Sequence, residues 1–193
     1  ALFFATGTPY WRAGQTPAAM PQALRDAYQS TLNLQIDEAR IKLQKYRANG
    51  HEHPFCIYLE SLANTLEAGI ASDPANYSKY RDVEQDIFGR IDALPVDDPY
   101  HDHLTAEVRL HQAFVQFKYG HELAAYWSLK QAYSAAKKQQ VAHPGFEPAR
   151  KIQAILQVLF GSVPDQYRWI TKLMGLRGDL EAGLSELEAL HRT

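Results

Sequence analysis

The chain has 193 residues, of which 46% are hydrophobic and 22% charged, and its formal net charge is −2. This composition excludes a chain that is disordered throughout, and the length suits one compact domain or a short helical array. Basic residues are dispersed, and the longest basic run is Lys137-Lys138, so no nucleic-acid-binding surface is expected. No apolar run approaches the roughly 20 residues that a membrane span needs. The single cysteine, Cys56, excludes an intramolecular disulfide and a cysteine-based zinc site.

The chain reads as a succession of helices without a strand. Residues 1–16 show no helical period and are predicted to form an extended lead-in, whereas apolar residues recur at helical spacing from residue 17 onward. Prolines and glycines divide residues 17–193 into an all-α array of about eight helices. The first helix is predicted to open at residues 17–20, with Pro21 in its first turn. The later helices are predicted over residues 37–48, 54–71, 74–93, 100–119, 122–141, 147–160, 165–176 and 179–191.

Three helices share one internal pattern. Each has a small residue, then an apolar residue four positions further on, then an apolar or small residue three positions after that. A small residue lets a helix approach its partner closely, and the two later positions fill the same face. The three sets are Ala39, Leu43 and Tyr46, then Ala125, Leu129 and Ala132, and finally Gly183, Leu187 and Leu190.

This pattern resembles the second helix of the tetratricopeptide repeat, although its spacing is irregular and the usual first-helix residues are absent. Residues 104–133 and 161–190 resemble an uncharacterised bacterial family of exported tetratricopeptide-repeat proteins. The second stretch is also similar to the repeat region of the eukaryotic inclusion-body-clearance proteins. That similarity is carried by Pro164, Gly175, Gly178, Asp179, Gly183 and Leu187.

The resemblance covers roughly residues 30–193. It implies an antiparallel helix-hairpin array with a right-handed superhelix, a scaffold role, and no catalytic residues. It also implies an exported or periplasmic location over a cytoplasmic one. Because members of the family are longer, the resemblance suggests that this chain is the N-terminal part of a longer protein.

Two groups of residues are candidates for binding a peptide. Arg168 and Lys172 share one helix face beside Tyr167, and their cationic groups could hold an acidic peptide end. Tyr126 and Lys130 form a second aromatic and basic pair on another helix. The alternative for the first group is that Trp169 and Leu173 belong to the core and that Arg168 pairs locally with Asp165. For the second group it is that Tyr126 and Trp127 pack in the core between helices.

Histidine clusters raise the question of a metal site. Histidines stand at 51, 53, 101, 103 and 111, and a spacing of two in a loop can hold a metal, although the same residues fit a polar loop before a helix. The pair His121-Glu122 lacks the second histidine that a zinc protease requires, since position 125 is alanine. No phosphate-binding loop or nucleophile motif is present in the sequence. The sequence therefore predicts no cofactor, no metal and no catalytic residue.

The leading functional hypothesis is a non-catalytic helical-repeat scaffold that binds a protein or peptide partner in its concave groove. One alternative is an accessory domain whose apolar groove binds lipid or an enzyme, and a more remote one is a metal-dependent enzyme that uses the histidine clusters. The final helix, residues 179–191, has apolar residues on more than one side. A homotypic contact through this helix, or packing of further repeats on it, is therefore expected.

Overall fold

A computed structural model describes residues 20–49, 53–71, 73–163, 175 and 178–192. Every regular element within these residues is an α-helix and none is a strand, which confirms the predicted all-α class. The lead-in over residues 1–16 and almost all of the helix predicted at 165–176 lie outside the described residues. The described helices are α1 (Gln22–Leu32), α2 (Ile36–Ala48), α3 (Pro54–Ile70), α4 (Asn76–Asp92), α5 (Pro99–Lys118), α6 (Glu122–Ala142), α7 (Ala149–Gly161) and α8 (Leu180–His191).

Prolines and side-chain caps define where several helices begin. α3 and α5 each have a proline at the first helical position, where the missing N–H costs nothing. The residue before each proline caps the helix. The ring of His53 accepts the backbone N–H of residue 55 at 3.1 Å, and the carboxylate of Asp98 accepts that of residue 100 at 2.8 Å. Asp179 caps α8 in the same manner at 3.0 Å.

The start of α1 differs from the prediction. Pro21 precedes the helix as its N-cap with φ −55° and ψ 147°, so the first helical residue is Gln22. Met20 is not helical either. Because proline fixes φ near this value in both extended and helical backbone, its presence alone does not distinguish the cap from the first turn.

The helices pack as consecutive antiparallel pairs in two layers. α1 with α2, α3 with α4, α5 with α6, and α7 with α8 are neighbours in space. The first members of the pairs, α1, α3, α5 and α7, contact one another in chain order, and we call them the first-helix layer. The second members α2, α4 and α6 also pack against the first helix of the following pair. This packing is consistent with an array of helix hairpins.

Small residues lie where the second helices meet their partners. Ala39 is 0% exposed and Ala125 5% exposed, and Gly183 is also buried. A Cβ atom added to Gly183 would lie 2.8 Å from the carbonyl oxygen of Ala154 and 2.8 Å from a methyl carbon of Val158. The expectation of a tight helix crossing at Gly183 is thus confirmed.

The buried hydrophobic residues form clusters that succeed one another along the array. One cluster joins α1 to α5 with Phe146 and Ala149, and another joins α5, α6 and α7. Cys56 is fully buried in the first of these clusters. Within the described part of the chain, no helix combines the length and the apolar character that crossing a bilayer would take.

A polar clamp connects the ends of α3 and α5. The ammonium of Lys118 donates to the carbonyl oxygen of Ala68 at 2.8 Å and also to those of Gly69 and Ala71. The hydroxyl of Tyr119 donates to the same Ala68 carbonyl at 3.1 Å. These carbonyls lie at the C-terminal end of α3, where a cation is favoured by the helix dipole.

Candidate functional site

An open groove of about 550 Å³ crosses the first-helix layer. All four helices of that layer contribute to its wall, and most of the side chains are aliphatic or aromatic. The residues that form the groove are Tyr28 of α1, Tyr58, Leu62, Thr65, Leu66 and Gly69 of α3, Glu107, Leu110, His111, Phe114, Val115 and Lys118 of α5, and Lys151 and Ile155 of α7.

A lysine, a glutamate and a tyrosine meet in this apolar wall. The Lys151 ammonium lies 3.0 Å from a carboxylate oxygen of Glu107 and donates to the Tyr58 hydroxyl at 2.9 Å. Glu107 is only 2% exposed. Burial acts to raise the pKa of Glu107, but the nearby ammonium outweighs this effect and brings the pKa below its ordinary value. The pair is therefore ionised, and its two charges cancel.

Tyr58 keeps its phenolic hydrogen at neutral pH. Burial raises the pKa of Tyr58 to about 12, although the Lys151 ammonium acts in the opposite direction. The ammonium nitrogen also lies 4.3 Å from the centroid of the Tyr58 ring, which adds a cation–π contact. The hydroxyl thus accepts one hydrogen bond from Lys151 and retains a hydrogen of its own to donate.

A second set of hydrogen-bonded polar side chains connects the groove to α4. The Ser61 hydroxyl oxygen lies 2.9 Å from Nδ1 of His111 and donates to Glu84 at 3.1 Å. His111 contributes to the groove, whereas Glu84 comes from α4 and is 1% exposed. Burial lowers the pKa of His111 to about 4 and raises the pKa of Glu84 to about 7. At neutral pH the imidazole is therefore uncharged.

Two other histidines of the predicted clusters have structural roles, since His53 caps α3 and His103 packs in the core. His103 is 3% exposed and packs edge-on against Tyr100 and Phe146, and burial lowers its pKa to about 4. His101 lies 3.4 Å from the carboxylate of Asp102. No group of three or more potential metal ligands occurs among the residues that the structure describes, and positions 51 and 52 are not among them.

Of the peptide-binding residues expected from the sequence, the two that the structure describes do not line the groove. Tyr167, Arg168 and Lys172 lie outside the described residues. Tyr126 and Lys130 are on α6, the second helix of its pair, and neither contributes to the groove wall. Tyr126 packs on the α5–α6–α7 cluster, and the Lys130 ammonium lies 5.1 Å from the ring centroid of Trp127.

Of the polar residues of the groove, only His111 was among the candidates expected from the sequence, as a possible metal ligand, although a signal for Glu107 was available. His103, Glu107 and His111 follow one another at intervals of four residues, which places three ionisable side chains on one face of α5. Lys151 is separated from Glu107 by the whole of α6. Its proximity depends on the packing of α7 against α5, which spacing along the chain does not indicate.

Comparison of the chain with protein-family models, curated proteins and solved structures finds no match. A functional proposal therefore depends on the groove and on the packing of the helices.

Proposed function

We propose that this chain is a non-catalytic helical-repeat scaffold of the tetratricopeptide kind, which binds a protein or peptide partner in the groove of the first-helix layer. The observation that carries the proposal is that one groove receives side chains from α1, α3, α5 and α7, one helix from each successive pair. Stacked helix pairs produce elongated binding surfaces of this kind. The buried small residues Ala39, Ala125 and Gly183, each in the second helix of a pair, support the repeat assignment.

The chemistry of the wall supports a peptide as the occupant. Binding sites typically combine an apolar wall with a few convergent polar groups, and here these groups are Tyr58, Glu107, His111 and Lys151. A peptide offers both apolar side chains for the wall and backbone amides for the polar groups. A lipid chain would cover the same polar groups without bonding to them, at a free-energy cost. Binding of lipid, or of an enzyme as accessory domain, remains the second candidate because the wall is mainly apolar.

The state of the polar groups supports a binding role over a catalytic one. Burial acts to lower the pKa of Lys151, but Glu107 and Tyr58 raise it above its ordinary value, so the amine stays protonated and is a poor nucleophile. The Ser61 hydroxyl is 0% exposed and lies between His111 and Glu84, where a substrate does not reach it. These groups are arranged as fixed hydrogen-bonding partners.

Selection of a displayed library of random linear peptides on the immobilised protein tests the proposal. The affinity of a selected peptide is then measured by calorimetry for the wild type and for Phe114→Asp. Phe114 is 52% exposed in the groove, so the variant should fold while placing a charge in the apolar wall. We expect affinity to fall by about tenfold or more, as for a central contact in an interface.

Val141→Asp is the matched control, because Val141 is 84% exposed on α6 and does not belong to the groove. Its affinity should equal that of the wild type. Equal affinities for Phe114→Asp and Val141→Asp would show that the peptide binds elsewhere and that the groove is not the binding site.

A further inference from the structure

The hydrogen bonds of Ser61 determine which nitrogen of His111 carries a proton. A serine hydroxyl has one hydrogen, and with Glu84 ionised that hydrogen is donated to the carboxylate at 3.1 Å. The hydroxyl oxygen can then only accept from His111, whose Nδ1 lies 2.9 Å away. The neutral imidazole therefore carries its hydrogen on Nδ1, and Nε2 is left as a hydrogen-bond acceptor. Among the described residues no second hydrogen-bond partner contacts this ring.

Two hydrogen-bond donors belong to other residues of the same groove wall. The ring centroids of Tyr58 and His111 are 5.7 Å apart, and the Tyr58 hydroxyl has a hydrogen to donate. Lys151 donates one N–H to Tyr58 and forms an ion pair with Glu107 at 3.0 Å, so at least one of its three N–H groups is left for a ligand. The groove thus presents an acceptor and two donors within a short stretch of apolar wall.

The two paired charges of the groove wall, Glu107 and Lys151, neutralise each other, whereas Lys118 keeps its charge and is already hydrogen-bonded to the carbonyls at the end of α3. A ligand carboxylate would approach the buried Glu107, and a ligand ammonium would approach Lys151. An uncharged group that both donates and accepts is the best complement to this arrangement.

We propose that the groove recognises an uncharged backbone amide of an extended apolar peptide, which donates to Nε2 of His111 and accepts from Tyr58 and Lys151, and that Glu84 sets this preference through Ser61. In extended backbone, the N–H and C=O of one residue point to the same side, which is how antiparallel strands exchange two bonds. Glu84 and Ser61 are positioning residues, since neither touches the ligand. This inference rests on the proposed peptide-binding function of the groove.

The proton position on His111 is the first test, and it needs no ligand. Long-range nitrogen–proton NMR spectra of the histidine rings at pH 8, where Glu84 is ionised, should show the hydrogen on Nδ1 of His111. Ser61→Ala removes the bond that fixes this form, so the other tautomer should become populated. Ser134→Ala, at an exposed position on α6, is the matched control and should leave the spectrum unchanged. A hydrogen on Nε2 in the wild type at pH 8 would overturn the proposal.

Three small probes test the preference for an amide. At pH 8, N-acetyl-leucinamide is uncharged, N-acetyl-leucinate is an anion and isopentylamine is a cation, and all three carry the isobutyl group of leucine. Titrations followed by NMR should show the uncharged probe at the groove, bound at least about fivefold more tightly than either charged probe, as expected for one good hydrogen bond. Ser61→Ala should reduce this preference, while Ser134→Ala should retain it.

Tyr58→Phe provides an independent variant in case loss of Ser61 impairs folding. It removes a ligand donor but keeps the ring, so binding of N-acetyl-leucinamide should weaken while the His111 tautomer stays on Nδ1. Equal or tighter binding of N-acetyl-leucinate would overturn the amide inference. The proposed function would still stand in that case, provided that a selected peptide loses affinity in Phe114→Asp. If Phe114→Asp has no effect on that peptide, the groove proposal and the inference both fail.

Discussion

The carboxylate of Glu84 occupies a site from which water is almost excluded, in contact with groups from three helices. Ser61 and Asn64 face it from α3, Tyr80 lies on its own helix, and Arg109 faces it from α5. Burial raises its pKa to about 7, although the hydrogen bonds to its neighbours act in the opposite direction. Ionisation of Glu84, which is complete only above neutral pH, therefore comes at a cost to folding stability.

Replacing Glu84 with glutamine should remove this cost and change the pH dependence of stability. The folded-state pKa of about 7 lies above the ordinary value of 4.5, so the folded protein binds more protons than the unfolded chain between these values. The contribution of Glu84 to stability therefore falls as pH rises from about 4.5 to 7 and is constant above that. The difference in unfolding free energy, Glu84→Gln minus wild type, should increase by about 3 kcal/mol across this range.

Urea unfolding of both proteins at pH 4.5, 6 and 8 measures this difference. Asp86→Asn is the matched control, because Asp86 lies on the same helix with its side chain 73% exposed. The unfolding free energy of Asp86→Asn minus that of the wild type should change with pH by much less than the change expected for Glu84→Gln. Each variant must be compared with the wild type at the same pH, because two buried histidines also make stability depend on pH. Burial lowers the pKa of His103 and His111 to about 4, so both destabilise the fold as pH falls below about 6.5. A difference for Glu84→Gln that is constant with pH would contradict the prediction.

At the scale of helices, the crossing of α7 and α8 depends on the absence of a side chain at Gly183. Gly183→Ala would place a carbon 2.8 Å from the Ala154 carbonyl oxygen and 2.9 Å from the Cβ of Gln157. We expect destabilisation of roughly 1–3 kcal/mol from overpacking, despite the higher helix propensity of alanine. Denaturant unfolding measures the change in free energy.

Gly89→Ala is the matched helical control. Nothing lies within 4 Å of a Cβ placed at Gly89 on α4. This variant should therefore gain roughly 0.5–1 kcal/mol from helix propensity alone. If both glycine variants are stabilised, α7 and α8 are not in the close contact that the structure shows.

The helices of this fold were largely predictable, because prolines and glycines stand near many of the helix boundaries. The predicted start of α3 at Pro54 is the observed one, and the predicted ends of α5 at 119 and of α7 at 160 lie within one residue of the observed ends. The groove was not predictable in the same way. Tyr58 and Leu110 follow the apolar period of their helices and so read as core residues, and only the packing of α3 against α5 shows that they border an open space. Hydrophobic periodicity indicates the inward face of a helix but does not indicate where the facing helices leave a gap.

At the scale of the whole molecule, we expect two copies of the chain to contact each other through the outer face of α8. Leu180 is 38% exposed and Leu184 46% exposed on this terminal helix. If the contact forms, sedimentation of the wild type should depend on protein concentration, and Leu184→Lys should abolish that dependence because a charge replaces an apolar contact.

Leu123→Lys is the control for this experiment, since Leu123 is 72% exposed on α6, outside the expected contact. It should sediment like the wild type. A wild type that stays monomeric at all concentrations would show that α8 does not associate with a second copy.

The clamp at Lys118 has a consequence for how the array opens. In a stack of helix pairs, each pair contacts only its neighbours, so segments can unfold locally and at different free energies. The ammonium of Lys118, in the last turn of α5, holds three carbonyls at the end of α3, and Tyr119 holds one of them as well. The last turns of these two helices therefore cannot fray separately without exposing unpaired carbonyls or a displaced cation. We therefore expect the last turns of α3 and α5 to open together, so that the amide hydrogens at both helix ends exchange with solvent at similar rates.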